Sequence, residues 1–237
     1  MRGGRRLDLW HRRGGVGRGS RIARRKWADW HTLARYYEAD REWTEATDAI
    51  QKALAKEPQS ISALTTAARI AELSGDFGRA ANTFRELANV DRRSRGDHLT
   101  NVARLEAQLG RTEEALQAGR DLIVSAPGNT DHYEFYSQLC FRLGKTSDGI
   151  DALRKAVRIN PTEPALKTTL GAALANDFRT DEAIQLYWQA FEKAEELDEQ
   201  TSLVMKLAEL HLQLNQFDRL VERLERGQRE EETRRTM

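Results

Sequence analysis

The residues best able to do chemistry in this 237-residue chain are five histidines and one cysteine: His11, His31, His98, His132, His211 and Cys140. None of the histidines stands at ligand spacing from another His, a Cys or a carboxylate pair, and no His-Glu-x-x-His occurs, so no zinc-binding pattern is present. A single cysteine excludes an intramolecular disulfide and a cysteine-based metal cage, and Cys140 is expected to be a buried small hydrophobe. Gly15, Gly17 and Gly19 are spaced like part of a phosphate loop, but no strand precedes them. No Walker loop or nucleophile elbow is found. The residues make no case for an enzyme, a cofactor or a metal.

Charge offers a different chemistry. The formal net charge is +1, yet ten of the 38 Lys and Arg and only one of the 37 Asp and Glu (Asp8) fall in residues 1–26. The rest of the chain therefore carries 28 bases against 36 acids. Residues 1–26 are rich in Arg and Gly and lack helical or strand periodicity, so they are expected to form a disordered basic leader. No apolar stretch follows the basic start, so Arg5–Arg6 do not make a twin-arginine export signal. Arg-Gly runs bind RNA with little sequence preference; a solvated tail, or a start placed too early, are the blander readings. No apolar run approaches the ~20 residues of a membrane helix, and a cytoplasmic location is the default expectation.

The elements that must position any site are written in a repeat. Ala46, Ala80, Ala115, Gly149 and Ala183 recur at intervals of 34, 35, 34 and 34 residues, and Pro58, Pro127 and Pro161 keep the same beat. In the first unit Trp30, Leu33, Ala34 and Tyr37 lie at i, i+3, i+4 and i+7, one face of a helix. A turn over 39–43 follows, then a second helix through Ala46, Ile50 and Ala53, closed by Pro58. Later units show Leu64, Ala68 and Phe84; Leu99, Ala103 and Leu122; Tyr133, Tyr136, Ser137, Leu153 and Ala156; Leu170, Gly171, Tyr187 and Ala190; and, more weakly, Leu207, Ala208, Leu220 and Leu224. Small residues let paired helices approach closely while large ones fill the groove. Gly75, Gly110 and Gly144 fall where first helices should stop. With only a basic coil expected before it, the first unit should leave Trp27 and Trp30 exposed.

This pattern resembles the tetratricopeptide repeat family. The resemblance implies an all-α fold, a right-handed superhelical solenoid of antiparallel helix pairs with about six repeats, at 27–60, 61–94, 96–129, 130–163, 164–197 and 201–234. Each pair leaves an apolar face that only its neighbour covers.

The resemblance also implies a non-catalytic scaffold that binds a protein or peptide segment in a concave groove lined by first helices. The ninth position of each unit would face that groove, and it holds Arg35, Arg69 and Arg104, then Gln138, Ala172 and Glu209. Stacked arginines suit carboxylates or phosphates, so an acidic partner is favoured. Glu38 and Glu72, three residues after Arg35 and Arg69, are expected to pair with them along the helix, and Arg104 faces Ala107 instead. Glu134, Phe135, Gln138 and Phe141 would continue the face in the fourth unit, with either Phe free to pack on its neighbour instead. The family's two-carboxylate clamp is poorly matched: His31, Thr65 and Thr100 stand at the fifth positions, and only Asn101 fits. The alternatives are an adaptor that meets RNA or another anionic surface through residues 1–26, or a fragment of a larger protein with such repeats.

Overall fold

The computed structural model describes residues 21–235, and the side chains of residues 30–227 and 229. Twelve helices and no strand occur among the described residues. They are α1 (Arg21–Ala39), α2 (Trp43–Leu54), α3 (Ile61–Leu73), α4 (Phe77–Val90), α5 (Arg95–Gln108), α6 (Thr112–Ser125), α7 (Thr130–Arg142), α8 (Thr146–Ile159), α9 (Pro164–Asn176), α10 (Thr180–Phe191), α11 (Leu197–Gln213) and α12 (Phe217–Arg235). The chain forms two compact units, Met1–Gly110 with α1 to α5 and Arg111–Met237 with α6 to α12. In unit 1, α2 packs on α1, α3 on α2, α4 on α3 and α5 on α4. In unit 2 the same serial packing joins α6 through α12. Each unit is thus a serial stack of antiparallel helices, the architecture of helical repeats.

Two boundaries differ from the sequence expectation. α1 begins at Arg21, so residues 21–26 are helical rather than part of a structureless leader; Arg, Ala and Lys are good helix formers and extend the apolar-faced segment backwards. The readings placed on residues 1–20, with His11, the three glycines and Arg5–Arg6, lie outside the described residues. α11 begins at Leu197, four residues before Thr201, with Asp198 and Glu199 in its first turn, where carboxylates favour the helix dipole.

Tight turns set the pairs. Gly75, Gly110 and Gly144 adopt φ of 81, 73 and 71°, the left-handed conformation that ends a helix, and Arg41, Phe178 and Asn215 do so in the other three turns at φ 60, 60 and 54°. The amide after this residue reaches back five residues: Glu42 N–H to the Tyr37 carbonyl at 2.9 Å, Lys145 to Cys140 at 2.8 Å, Arg179 to Leu174 at 2.9 Å, Gln216 to His211 at 2.8 Å. These bonds satisfy carbonyls that the helix end would leave bare. Pro164 starts α9, where the missing N–H costs nothing.

The small residues sit where helices touch. Ala34, Ala46, Ala68, Ala80, Ala103, Ala115 and Ala183 are 0% exposed. In unit 1, Ala34, Ala46, Ile50, Ala53, Ala63 and Ile70 form one core, against which Trp30 and Tyr37 pack. Trp30 is therefore half-buried rather than exposed, and the Lys52 ammonium lies 4.6 Å from its ring centre. In unit 2 a core of Ile150, Leu153, Leu170, Leu174, Tyr187, Trp188, Leu203 and Leu207 runs through α8 to α11. A Cβ added at Gly149 would stand 2.6 Å from Phe141 Cε1, and one at Gly171 would stand 2.7 Å from Tyr187 Cε1. Gly171→Leu is expected to destabilise the fold by ~1–3 kcal/mol, because overpacking a filled core outweighs the helix propensity gained. A denaturant midpoint equal to the parent's would show that Tyr187 yields without cost.

Candidate functional site

The first helices of unit 1 carry a row of alternating charge. Arg35, Arg69 and Arg104 are exposed, on α1, α3 and α5. Glu38 and Glu72 do not pair along their own helices. Instead, Arg69 grips Glu38 with two bonds, Nε to Oε1 at 2.5 Å and Nη2 to Oε2 at 2.7 Å. Arg104 Nη2 donates to Glu72 Oε1 at 2.5 Å and to Asn101 Oδ1 at 3.3 Å. The expectation of in-helix pairs is corrected: each glutamate answers the arginine of the following pair, because neighbouring first helices lie close enough for a guanidinium to span. Arg104, without a counter-charge at Ala107, obtains one from Glu72.

Arg35 stands at the start of this row and makes no hydrogen bond or ion pair among the described residues. It opens onto a pocket of about 620 Å³ lined also by Glu38, Ala39, Arg41, Trp43, Arg69 and Leu73. Leu73 is 57% exposed, an apolar wall beside three guanidinium groups. Arg41, Trp43 and Leu73 carry no signal in the sequence, since they come together only when the α1–α2 turn meets the end of α3.

His31 lies next to the same group on α1. Thr66 donates its hydroxyl proton to the Ser62 carbonyl at 3.0 Å, so its oxygen is left to accept from His31 Nε2–H at 2.9 Å. Burial holds the imidazole pKa below its ordinary 6.5, and the charges of Arg35 and then Arg69 lower it further.

In unit 2 the expected residues have mixed surroundings. Glu134 and Phe135 on α7 are half-buried and Gln138 is exposed. The Glu134 carboxyl is pushed above the usual range, chiefly by burial and then by Asp131 and Glu163. Phe141 is half-buried with its ring against Gly149 of α8, which commits that edge to its own helix pair. Met205 and Leu212 on α11, 70% and 59% exposed, add apolar surface that sequence spacing did not single out. Of the remaining chemically able residues, Cys140 is fully buried and burial raises its thiol pKa. His98 Nε2 lies 3.2 Å from Asp91 Oδ2, and His211 donates from Nδ1 to the Leu207 carbonyl at 2.8 Å. Among the described residues no group of His, Cys, Asp and Glu is arranged to hold a metal, and no helix is long and apolar enough to cross a membrane.

The His31 geometry has a measurable consequence. A nuclear magnetic resonance titration should give His31 a pKa below 6.5, and Arg35→Gln should move it upward by removing the nearby positive charge. Because the folded value is the lower one, the unfolded chain binds more protons below pH 6.5. The contribution of His31 to stability is therefore complete above that pH and is lost as pH falls through 6.5 toward the folded value. A His31 pKa at or above 6.5 would contradict this placement.

Comparison with known proteins agrees with the geometry. A tetratricopeptide repeat pattern matches residues 65–130 and 101–164, and a second one matches residues 165–197. No curated protein matches the sequence. Among solved structures, a MamA protein is similar at 17% identity and TM-score 0.51, over 71% of this chain and 91% of its own. A tetratricopeptide repeat protein from Parabacteroides merdae ATCC 43184 is similar at 16% identity and TM-score 0.52, over 85% and 78%. At such identities the likeness concerns the fold alone. With matches covering more than half its length and the helix pairs to go with them, the chain belongs to the tetratricopeptide repeat family.

Proposed function

We propose that the chain is a non-catalytic scaffold that holds a segment of another protein, and that unit 1 takes an acidic side chain of that segment at Arg35. The family is generally an interaction scaffold. The observation that carries the reading is the exposed Arg35 guanidinium, without a hydrogen bond or ion pair among the described residues, at the mouth of a pocket with Trp43 and Leu73 in its wall. A carboxylate next to an apolar side chain suits that combination: the guanidinium offers a forked pair of donors, and the wall covers the apolar group. Arg69 and Arg104 retain free N–H groups beyond those given to Glu38 and Glu72, so they can extend the contact without breaking the row. The pairs themselves are exposed on the arginine side and contribute at most about 1 kcal/mol each to stability. Recognition can thus be changed here with little effect on folding.

The test is a peptide array probed with the purified chain, in which each acidic peptide has a twin with Gln and Asn for Glu and Asp. Acidic peptides should be retained over their twins, and Arg35→Ala should weaken retained ones about tenfold or more, the loss expected for one charge-assisted contact. The triple variant of Arg35, Arg69 and Arg104 to Ala should weaken them further while circular dichroism stays unchanged. Equal binding of both peptide sets would overturn the acidic preference, and loss of helical signal in the triple variant would make the arginines structural.

A further inference from the structure

Charges pair off along the row of first helices, but not where the row begins. The guanidinium groups of Arg35, Arg41 and Arg69 line the pocket there, against the single carboxylate of Glu38. Glu38 is already engaged: its Oε1 lies 2.5 Å from Arg69 Nε, its Oε2 accepts from Arg69 Nη2 at 2.7 Å, and its side chain is only 11% exposed. Glu72, beside Leu73 in sequence, is held by Arg104. Asp40 and Glu42 flank Arg41 and are exposed, yet neither lines the pocket. The lining groups thus carry two positive charges in excess, on Arg35 and Arg41, and neither makes a hydrogen bond or ion pair among the described residues.

Arg41 owes its place to the turn rather than to a helix face. It takes φ of 60°, its N–H bonds the Glu38 carbonyl at 3.1 Å, and the next amide bonds the Tyr37 carbonyl at 2.9 Å. The backbone that presents this guanidinium is therefore fixed before any ligand arrives, which lowers the cost of binding. His31 on α1 registers the local field. After burial, the charges of Arg35 and then Arg69 hold its imidazole pKa down, although Glu38 stands between the two arginines along the row.

A carboxylate brings one charge and two oxygens, which a single guanidinium fork satisfies, leaving the other arginine uncompensated. A phosphomonoester brings a charge of about −1.5 to −2 at pH 7 and three acceptor oxygens, enough for both forks. On the reading that this pocket takes a side chain of a partner segment, we propose that its preferred occupant is a phosphorylated side chain whose phosphate is shared by Arg35 and Arg41. Trp43 and Leu73 cover the carbon atoms that bear the phosphate, and the pocket of about 620 Å³ has room for both. Docking then depends on whether the partner has been phosphorylated.

The test is an oriented peptide library in which one position is phosphoserine, glutamate or glutamine and its neighbours are mixed. Affinities of retained sequences for the full chain are then measured by fluorescence anisotropy. Phosphoserine sequences should bind about tenfold or more tighter than their glutamate twins, the gain expected of one further charge-assisted contact. Arg41→Gln should cost the phosphoserine sequences more than the glutamate ones and close that margin, whereas Arg35→Gln should weaken both. Arg41→Lys, which keeps the charge without the fork, should restore part of the margin. Circular dichroism checks the variants, and Arg41→Lys carries the comparison should Arg41→Gln lose helical signal. A margin untouched in the folded Arg41 variants overturns the proposal. Equal binding of phosphoserine and glutamate sequences, both above glutamine, overturns the phosphate preference and leaves the acidic pocket standing. Failure of either to exceed glutamine removes the pocket reading and this inference together. Displacement of the phosphopeptide by inorganic phosphate at equal concentration overturns it in favour of a free phosphate ion.

Discussion

Close approach between paired helices is the constraint from which the rest follows. Two helices can pack at the distance seen here only where one offers almost no side chain, and that requirement falls on Ala46, Ala80, Gly149 and Ala183 in turn, with Ala34, Ala68 and Gly171 on the facing helices. At Gly149 and Gly171 even a methyl group has no room, because aromatic rings already occupy the space. The large residues then have a fixed groove to fill, and each pair is left with an apolar side that it cannot cover by itself. The left-handed turn residue holds each pair in register. Phe178 shows how strongly that geometry is imposed: a bulky residue takes φ of 60° with its side chain 94% exposed, gaining nothing from burial to offset the strain.

Because the apolar sides are used between helices, the exposed faces are left to charge. In unit 1 the first helices are tied by Glu38 to Arg69 and by Glu72 to Arg104, and in unit 2 second helices are tied by Arg154 to Glu182 and by Arg223 to Glu192. Arg223 also lies 4.2 Å over the Trp188 ring, which lengthens the contact into the core. Such pairs contribute little to stability singly. Their effect is to set which charges remain unspent on the surface, and Arg35 is left so because it opens the row and has no preceding glutamate in a described helix to answer it.

What was legible in the sequence follows the same division. A steric requirement restricts residue type, so the alanines and glycines at 34-residue intervals, and three of the six left-handed turns, could be read directly. Arg41, Phe178 and Asn215 occupy the equivalent turns but could not be, since position rather than residue type sets their conformation. Charge pairing was misassigned because spacing along one helix says nothing about the lateral distance to the next. Glu38 is three residues from Arg35, yet Arg69 reaches it from a different helix. The pocket at Arg35 was half legible: its arginines lie in the repeat, whereas Trp43 and Leu73 join them only through the turn geometry. The start of α1 was obscured by composition, for Arg and Lys read as solvated tail and as good helix former alike.

The two surfaces of unit 1 are chemically distinct although both are built from arginine. In the row along the first helices Arg69 and Arg104 each hold a carboxylate and Arg35 has no ion pair among the described residues, so the local field is nearly balanced and discriminates by geometry. At the end where α1, α3 and α5 begin, three helix N-termini meet two C-termini, and opposed dipoles largely cancel. Side chains therefore decide the potential there: Arg92, Arg93 and Arg95 make no ion pair among the described residues, Asp91 is held by Ser94 and His98, and Glu57, Glu86 and Asp97 are exposed. A balanced row favours a ligand whose charges match it one by one.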